Sequence, residues 1–367
     1  MKALIMIIST VCLLILGCNT TEPVTEEIQE KSWQSIPEFA DLDVRYIIKN
    51  NDKLYIAAVN TAISNSSTLD RGVIMETSDA ISWKKIKGFH FDIGPLAFHG
   101  DTLFCLSDSL YRYHPQTGWK GLCKYDALIT SDPASMGDMI FFKDKLYVMQ
   151  SVFSDLFSMY RLSYDGTYES LNVLFGKYAY GGAKFIKVEK NGNEELYIRP
   201  NYFTSGFYRF DGSTYSFVMD GLSANELNGS PINSLAVRND TLFAGFKYPA
   251  TIKVLVNNKW QLFADSLPVS KSALLFRPQL RTETTAIVFV GNRMFVATNT
   301  IGVLEWSRER GWSRMSKGLV EVGIPNIEDV YDPVVFLEYF KGHLIAAYGT
   351  PGFGQWGGNG AFIYTLN

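Results

Sequence analysis

The sequence predicts an all-β fold: a single β-propeller of seven four-stranded blades, with six blades as the alternative. Three observations predict it. A phrase of four short strands ending on an aromatic residue recurs along the chain. The outer aromatics return at propeller spacing, 36 residues from Trp83 to Trp119 and 52 from Trp260 to Trp312. The last phrase stops one strand short at Asn367, while Ser32–Ile36 has an outer-strand pattern and no blade before it.

The clearest phrase is 286–315. Ala286–Val290 is apolar and β-branched, Gly291-Asn292 is a hairpin turn signal, and Arg293–Thr298 returns. Gly302–Ser307 forms the third strand and Trp312–Met315 the fourth. Read the same way, blade 1 runs from Val44 through Leu54–Val59 and Gly72–Glu76 to Trp83. Blade 2 takes Ile93–Phe98, Thr102–Leu106, Ser109–Tyr113 and Trp119, and blade 3 takes Met139–Phe142, Lys145–Met149, Ser158–Leu162 and Tyr168. Blade 4 uses Ala183–Val188, Glu195–Arg199, Gly206–Phe210 and Tyr215; blade 5 uses Ile232–Val237, Thr241–Phe246, Ile252–Val256 and Trp260. Blade 7 has Val334–Tyr339, His343–Ala347 and Gly360–Thr365, and Ser32–Ile36 is expected to complete it. Closure of that kind ties the termini together by hydrogen bonds and removes an open sheet edge.

The composition fits. Hydrophobic residues make up 47% and aromatics 14% of the 367 residues, which suits a strand-rich core. The net charge of −3 offers no basic footprint, so nucleic acid is not an expected partner. The first residues read as a targeting signal: Lys2 gives a positive start and Ala3–Leu16 an apolar run, ending in Ile15-Leu16-Gly17-Cys18. Asn19–Lys31 is polar and acidic, too poor in apolar residues to fold alone. The expected organisation is therefore 1–17 signal peptide, 18–31 modified Cys and flexible tether, and 32–367 propeller.

Ile15-Leu16-Gly17-Cys18 resembles the bacterial lipobox. That resemblance implies cleavage before Cys18, acylation of Cys18, and attachment to a membrane of the cell envelope. Asn19, in place of the Asp of inner-membrane retention, points to the outer membrane. Cys105 and Cys123 remain in an oxidising compartment, but a strand lies between their strands. Two strand spacings of ~4.8 Å exceed disulfide reach, so both are expected to be free thiols.

The repeated Gly-His and Trp-Asp pairs of WD40 repeats are missing, Trp-Asp altogether and Gly-His but for Gly342-His343, and paired Gly does not recur at each blade, standing only at Gly181-Gly182 and Gly357-Gly358. Thr77-Ser78-Asp79-Ala80-Ile81-Ser82-Trp83 resembles the Asp-box turn of sialidase-type propellers, with Ala80-Ile81 where Gly is usual; Ser163–Tyr168 and Asp211–Tyr215 echo it. The resemblance implies turns with a structural role, away from any active face.

Connections decide where a site is expected. Turns between first and second strands, and between third and fourth, are short, and they share one face of the disc. Connections on the other face are long and varied, and loops vary where function is grafted. Polar candidates at the strand ends on that face are Arg45, Asn60, Asp138, Lys184, Arg199, Asn201, Lys247, Asn299 and Asp332, with Arg281 in a long connection. Aromatic candidates include Tyr202, Phe246, Tyr248, Tyr348 and Trp356. A polar collar with aromatic platforms suits a protein loop, a peptide or a sugar.

Catalytic signatures are missing. His90, His99, His114 and His343 are too dispersed to hold a metal, and no metalloprotease, nucleophile-elbow or phosphate-loop motif occurs. Neither metal nor cofactor is expected. The leading reading is a lipid-anchored, non-enzymatic propeller that binds a protein or glycan. Two alternatives stay open. One is a carbohydrate-active enzyme, a sialidase-like hydrolase or polysaccharide lyase, for which Arg45, Arg199 and Arg281 would have to converge. The other is an envelope assembly factor, similar to the photosystem-stability-factor branch of Asp-box propellers.

Overall fold

Seven antiparallel four-stranded sheets form the structure, and the chain adds them one after another. The computed structural model describes residues 31–50, 52–63, 68–124, 136–151, 157–171, 184–190, 192–199, 207–223, 226, 232–246, 250–270, 282–322, 329–349 and 360–366. Strands of blade 1 are Asp43–Asn50, Lys53–Val59, Gly72–Thr77 and Lys84–Phe89; those of blade 2 are Leu96–His99, Thr102–Leu106, Leu110–His114 and Gly118–Cys123. Blade 3 has Met136–Phe142, Lys145–Ser151, Phe157–Leu162 and Tyr168–Ser170; blade 4 has Lys184–Lys190, Asn193–Arg199, Tyr208–Phe210 and Tyr215–Phe217. Blade 5 has Ile232–Arg238, Thr241–Phe246, Ile252–Val256 and Lys259–Ala264; blade 6 has Thr284–Val290, Arg293–Thr298, Val303–Ser307 and Gly311–Arg314. In blade 7, Phe336–Phe340, His343–Ala347 and Ala361–Thr365 are joined by Gln34–Ser35 as the outer strand. The six-blade alternative is thereby excluded.

The closing strand pairs as its pattern requires, with Gln34 opposite Ile363 and Ser35 opposite Phe362. The Ile36 amide extends the ladder by donating to the Ala361 carbonyl at 2.8 Å. Blade 2 starts later than its apolar run suggests. Pro95 has no N–H for the ladder, so the inner strand begins at Leu96.

Left-handed turns keep the hairpins of the short-turn face tight, inner ones and the outer one of blade 5 alike. Lys143-Asp144, Asn239-Asp240 and Asn257-Asn258 hold both central residues at positive φ, which matches the twist of the flanking strands. In the Thr77–Trp83 turn, Asp79 accepts the amides of Ile81 and Ser82 at 2.9 and 2.7 Å, and Thr77 Oγ1 accepts those of Asp79 and Ala80. Ala80 takes φ 70°, the conformation for which Gly is the usual residue. Asp211 similarly accepts the Ser213 and Thr214 amides, and such donors hold the carboxyls of Asp79 and Asp211 below the ordinary carboxylate range.

Apolar clusters fill each seam between neighbouring blades. One cluster joins Val288, Phe295 and Val303 of blade 6 to Leu337, Leu344 and Phe362 of blade 7, with Trp33 among them. Another joins Leu54, Ile56 and Met75 of blade 1 to Phe340 and Ile345 of blade 7. Large side chains buried against the next sheet hold the ring together in place of a central core. Cys105 and Cys123 are free thiols, as two strand spacings require. Among the described residues no helix is long and apolar enough to cross a membrane.

Candidate functional site

Four inner strands carry the same irregularity. Where the strand enters from the long-connection face, one residue is extra relative to its partner strand: Arg45 in blade 1, Gly137 in blade 3, Asn233 in blade 5 and Thr285 in blade 6. A β-bulge bends the strand and re-aims its side chains and carbonyls. Here Gly137, Asn233 and Thr285 bond to other blades, and Arg45 pairs within its own strand.

The bonds run around the axis. Tyr46 of blade 1 donates its hydroxyl to the Gly137 carbonyl of blade 3 at 3.0 Å. Asp138 of blade 3 accepts the Phe185 amide of blade 4 at 2.8 Å, and its other oxygen accepts the Met139 amide at 2.9 Å. Arg199 of blade 4 is buried and donates to the Ile232 and Asn233 carbonyls of blade 5. Asn233 donates to Glu283, next to blade 6, at 2.8 Å, and the Ser234 hydroxyl donates to the Thr284 hydroxyl at 2.9 Å. Thr285 of blade 6 donates to the Val334 carbonyl at the entry to blade 7. Lys184 of blade 4 spans the gap that is left. Its ammonium stands 5.7 Å from the ring centre of Tyr46 in blade 1 and 5.7 Å from that of Phe336 in blade 7.

The electrostatics follow from that crowding. Deep placement raises the pKa of Asp138, and the nearby Lys184 ammonium, its two amide donors and Arg199 pull it back in part. Burial, with the negative charge of Asp138, also pushes the Tyr46 hydroxyl well above its ordinary value. Arg45 pairs with Asp43 on its own strand at 2.8 Å.

Among the expected site residues, Arg45, Lys184 and Arg199 thus gather at the axis, together with Asp138. Asn299 stands beside them: its side-chain oxygen accepts the Glu283 amide at 2.8 Å while its own amide donates to the Glu283 carbonyl. Asn60 lies apart. Its side chain caps its own loop by accepting the Ala62 amide at 3.0 Å. Asn201, Tyr202, Lys247, Tyr248, Arg281 and Trp356 lie outside the described residues, as does Cys18. Two expected aromatic platforms are instead core residues: Phe246 is 0% and Tyr348 1% exposed, because both ring systems fill seams between sheets.

Sequence reading places Tyr46 and Glu283 within reach of the centre but misses Asn233 and Phe336 as axial residues in this network. The signal was present in part. Bulges break the period-two alternation, and the polar pairs Asn233-Ser234 and Glu283-Thr284 stand at the head of otherwise apolar strands.

A second set of contacts clamps the short-turn face. Lys49 of blade 1 pairs with Glu338 of blade 7 at 2.6 Å, His99 of blade 2 meets Asp144 of blade 3 at 3.1 Å, and Lys143 of blade 3 donates its amide to Glu194 of blade 4 at 3.0 Å. Among the described residues, no group of three or more His, Cys, Asp or Glu side chains is placed to hold a metal ion.

Comparison with family models finds no match, and comparison with curated proteins finds none. Solved structures do match. YCF48 bound to a D1 peptide superposes with TM-score 0.54 at 10% identity, over 93% of this chain and 97% of that one. These chains share the propeller fold. The WD40 repeats of RRP9 give TM-score 0.54 at 12% identity, over 92% of this chain and all of theirs. PorZ, a surface component of the type-IX secretion system of Porphyromonas gingivalis, gives TM-score 0.50 at 16% identity over 88% of this chain and 46% of its own. At such identities the likeness concerns architecture alone.

Proposed function

We propose that this chain is a lipid-anchored envelope propeller that binds a protein segment on its long-connection face and acts by binding rather than by turnover. One observation supports it above the rest: charged and polar groups of six blades converge at the axis on that face, and the described ones are joined to one another as a fixed platform. The described arginines support a platform better than a glycosidase. Arg199 donates to main-chain carbonyls and Arg45 to Asp43, so neither is a spare fork for a substrate carboxylate. Apolar side chains on the same face add contact area, among them Leu69 at 62% and Phe91 at 43% exposure.

A protein ligand is preferred to a glycan because one fold neighbour, YCF48, is described bound to a D1 peptide. An envelope assembly factor is the more specific version of this reading, and PorZ, a bacterial surface component of a secretion system, is a precedent for the fold in that setting. Outer-membrane placement rests on Ile15-Leu16-Gly17-Cys18 and Asn19.

Photo-crosslinking in living cells tests the reading. A crosslinking residue at Asn60, on the long-connection face, is expected to yield a discrete protein adduct, and one at His114, on the short-turn face, is expected to yield none. A glycan array with the domain from Ser32 onward is the counter-test. Turnover of any bound glycan overturns the binding-only reading, and adducts from His114 alone overturn the choice of face.

A further inference from the structure

Among the described residues of the axial network, Lys184 is the cation held by aromatic faces. Its strand begins at the axis in blade 4, and its ammonium crosses to Tyr46 in blade 1 and Phe336 in blade 7, at 5.7 Å from each ring centre. Among the described residues its ammonium makes no hydrogen bond and no ion pair, although its main chain pairs in the blade 4 ladder. Asp138 supplies the counter-charge from blade 3, but its two oxygens already accept the Phe185 and Met139 amides. Two π faces from the adjoining blades 1 and 7, reached by Lys184 from blade 4, together with the carboxylate of Asp138 make a cage for a cation, and ammonium groups are what such cages recognise.

Three features make the cage more than a packing accident. A lysine used only for structure would be expected to meet a carboxylate directly, as Lys49, Lys187 and Lys253 do elsewhere in this chain. Lys184, Tyr46, Phe336 and Asp138 all keep partial exposure although they lie at the centre of the ring, so that the cage opens along the axis. Its rim is the end of the disc from which the long connections emerge. Contacts to π faces lack the directional hold of an ion pair, so an incoming ammonium exchanges with Lys184 at little loss to either.

We propose that the axial cage of Tyr46, Phe336 and Asp138 is a binding site for an alkylammonium group, with Lys184 as resident occupant and a lysine side chain of the protein ligand as its replacement. The proposal deepens the protein-binding reading and rests on it for the ligand's identity. The cage itself is testable without that ligand. Entry of a partner's lysine would free Lys184 to pair at the rim, and a neutral or acidic side chain would gain nothing from the two rings. The site therefore selects basic segments.

The test replaces Lys184 with Ala and offers n-butylammonium, the fragment removed, with n-butanol as the uncharged control. Butylammonium is expected to raise the melting temperature of Lys184→Ala while n-butanol leaves it unchanged, and the parent chain is expected to need at least a tenfold higher concentration. Adding Phe336→Leu should abolish the response. An equal response to n-butanol means an apolar hole and overturns the proposal, as does an equal response of parent and variant, or none. If Lys184→Ala does not fold, the parent chain still decides. Reductive methylation with a carbon-13 label gives the Lys184 methyl signal a ring-current shift in the cage, and butylammonium should return it to the position of an exposed lysine. A signal that stays put under saturating butylammonium overturns the proposal. Failure here leaves crosslinking from Asn60 untouched, so the two readings fail separately.

Discussion

Trp33 donates its indole N–H to the main-chain carbonyl of Met315, joining the start of the propeller chain to the end of blade 6. The same clasp repeats around the ring. Trp119 of blade 2 donates to Ile86 of blade 1 at 3.1 Å, Trp260 of blade 5 to Val218 beside blade 4 at 2.9 Å, and Trp312 of blade 6 to Asp265 beside blade 5 at 3.2 Å. In each case the outer tryptophan of one blade reaches a carbonyl at the outer strand of the blade before it. Trp83 of blade 1 breaks the series: its ring packs edge-on against Phe39 at 4.9 Å, and its indole nitrogen is buried without a partner. The seam between blades 7 and 1 is the one that closes the ring, and there ring packing replaces the clasp.

The Trp33 clasp makes the N-terminal strand part of the fold. Trp33 is 3% exposed, and its amide also donates to Lys317 at 2.9 Å. Trp33→Ala is expected to cost ~3 kcal/mol in chemical denaturation, and Trp33→Phe, which keeps a ring but loses the N–H, ~1 kcal/mol. A chain starting at Glu38 should melt well below one starting at Lys31 and should aggregate through the bared edge of Ala361–Thr365. Equal melting curves for the two truncations would show that blade 7 stands on three strands.

Asp138 should set a measurable pH dependence. Its pKa is raised in the folded protein, chiefly by burial, so the folded state holds its proton more tightly than the unfolded chain does. The stability this contributes is fully present below the unfolded carboxylate value of ~3.9 and is lost as pH rises through the raised folded value. Asp138→Asn should flatten that part of the stability profile, measured by urea unfolding at a series of pH values. Asp79 and Asp211 act with the opposite sign: their lowered pKa values give stability above the unfolded value that disappears as pH falls. A profile unchanged by Asp138→Asn would mean that the carboxyl titrates as it does in the unfolded chain.

Glu226 and Lys253 form the most enclosed ion pair among the described residues, with side chains 6% and 11% exposed. Glu226 also accepts the amide and hydroxyl of Ser223, at 2.7 and 2.8 Å, so it pins the connection between blades 4 and 5 onto blade 5. Glu226→Ala leaves Lys253 buried over the Phe246 ring, 5.2 Å from its centre, with its charge uncompensated. The expected cost is ~3–5 kcal/mol, whereas a Glu226→Leu, Lys253→Met pair should cost less than the single change. Equal costs for the single and double variants in denaturant titrations would refute the pairing as the source of the effect.

Blade number, strand order and closure were legible because each depends on short-range pattern: alternation within a strand, a turn signal between strands, one aromatic per phrase. Ser32–Ile36 was recognisable for the same reason, a strand pattern without a blade. The axial network was less legible. Arg45, Lys184 and Arg199 could be placed at strand ends, but their partners are set by bulges that shift the strand by one residue, and the sequence does not announce which residue is extra. Phe246 and Tyr348 were misread as platforms because an aromatic at the end of a strand has the same local sequence whether it points into a seam or out of it.

The anchor is tested by one atom. Cys18→Ser removes the thiol that the lipobox-like segment would present for acylation, and residues 32–367 contain all the blades. The variant should appear in the soluble fraction with an unchanged melting temperature for the propeller. Membrane attachment equal to that of the parent chain would assign the N-terminal segment to some other role.

Gly245 and Thr284 test the seam between blades 5 and 6. A Cβ placed on Gly245 would stand 2.0 Å from the Thr284 hydroxyl and 2.4 Å from that of Ser234, closer than any real contact. These are the two hydroxyls that bond to each other across the seam. Thr284 is 0% exposed and lies within the ladder of blade 6, so it has no room to withdraw. Gly245→Ala should therefore cost ~2–4 kcal/mol, through overpacking and loss of the hydroxyl bridge together. Thr284→Ala removes the nearer hydroxyl first and gives up the bridge on its own. With that hydroxyl gone, adding Gly245→Ala should cost at least ~0.5 kcal/mol less than in the parent chain, the size of coupling expected for residues in contact. Strict additivity of the two changes in urea unfolding would place the strain of Gly245→Ala elsewhere in blade 5 and leave the bridge without a part in holding the two blades together.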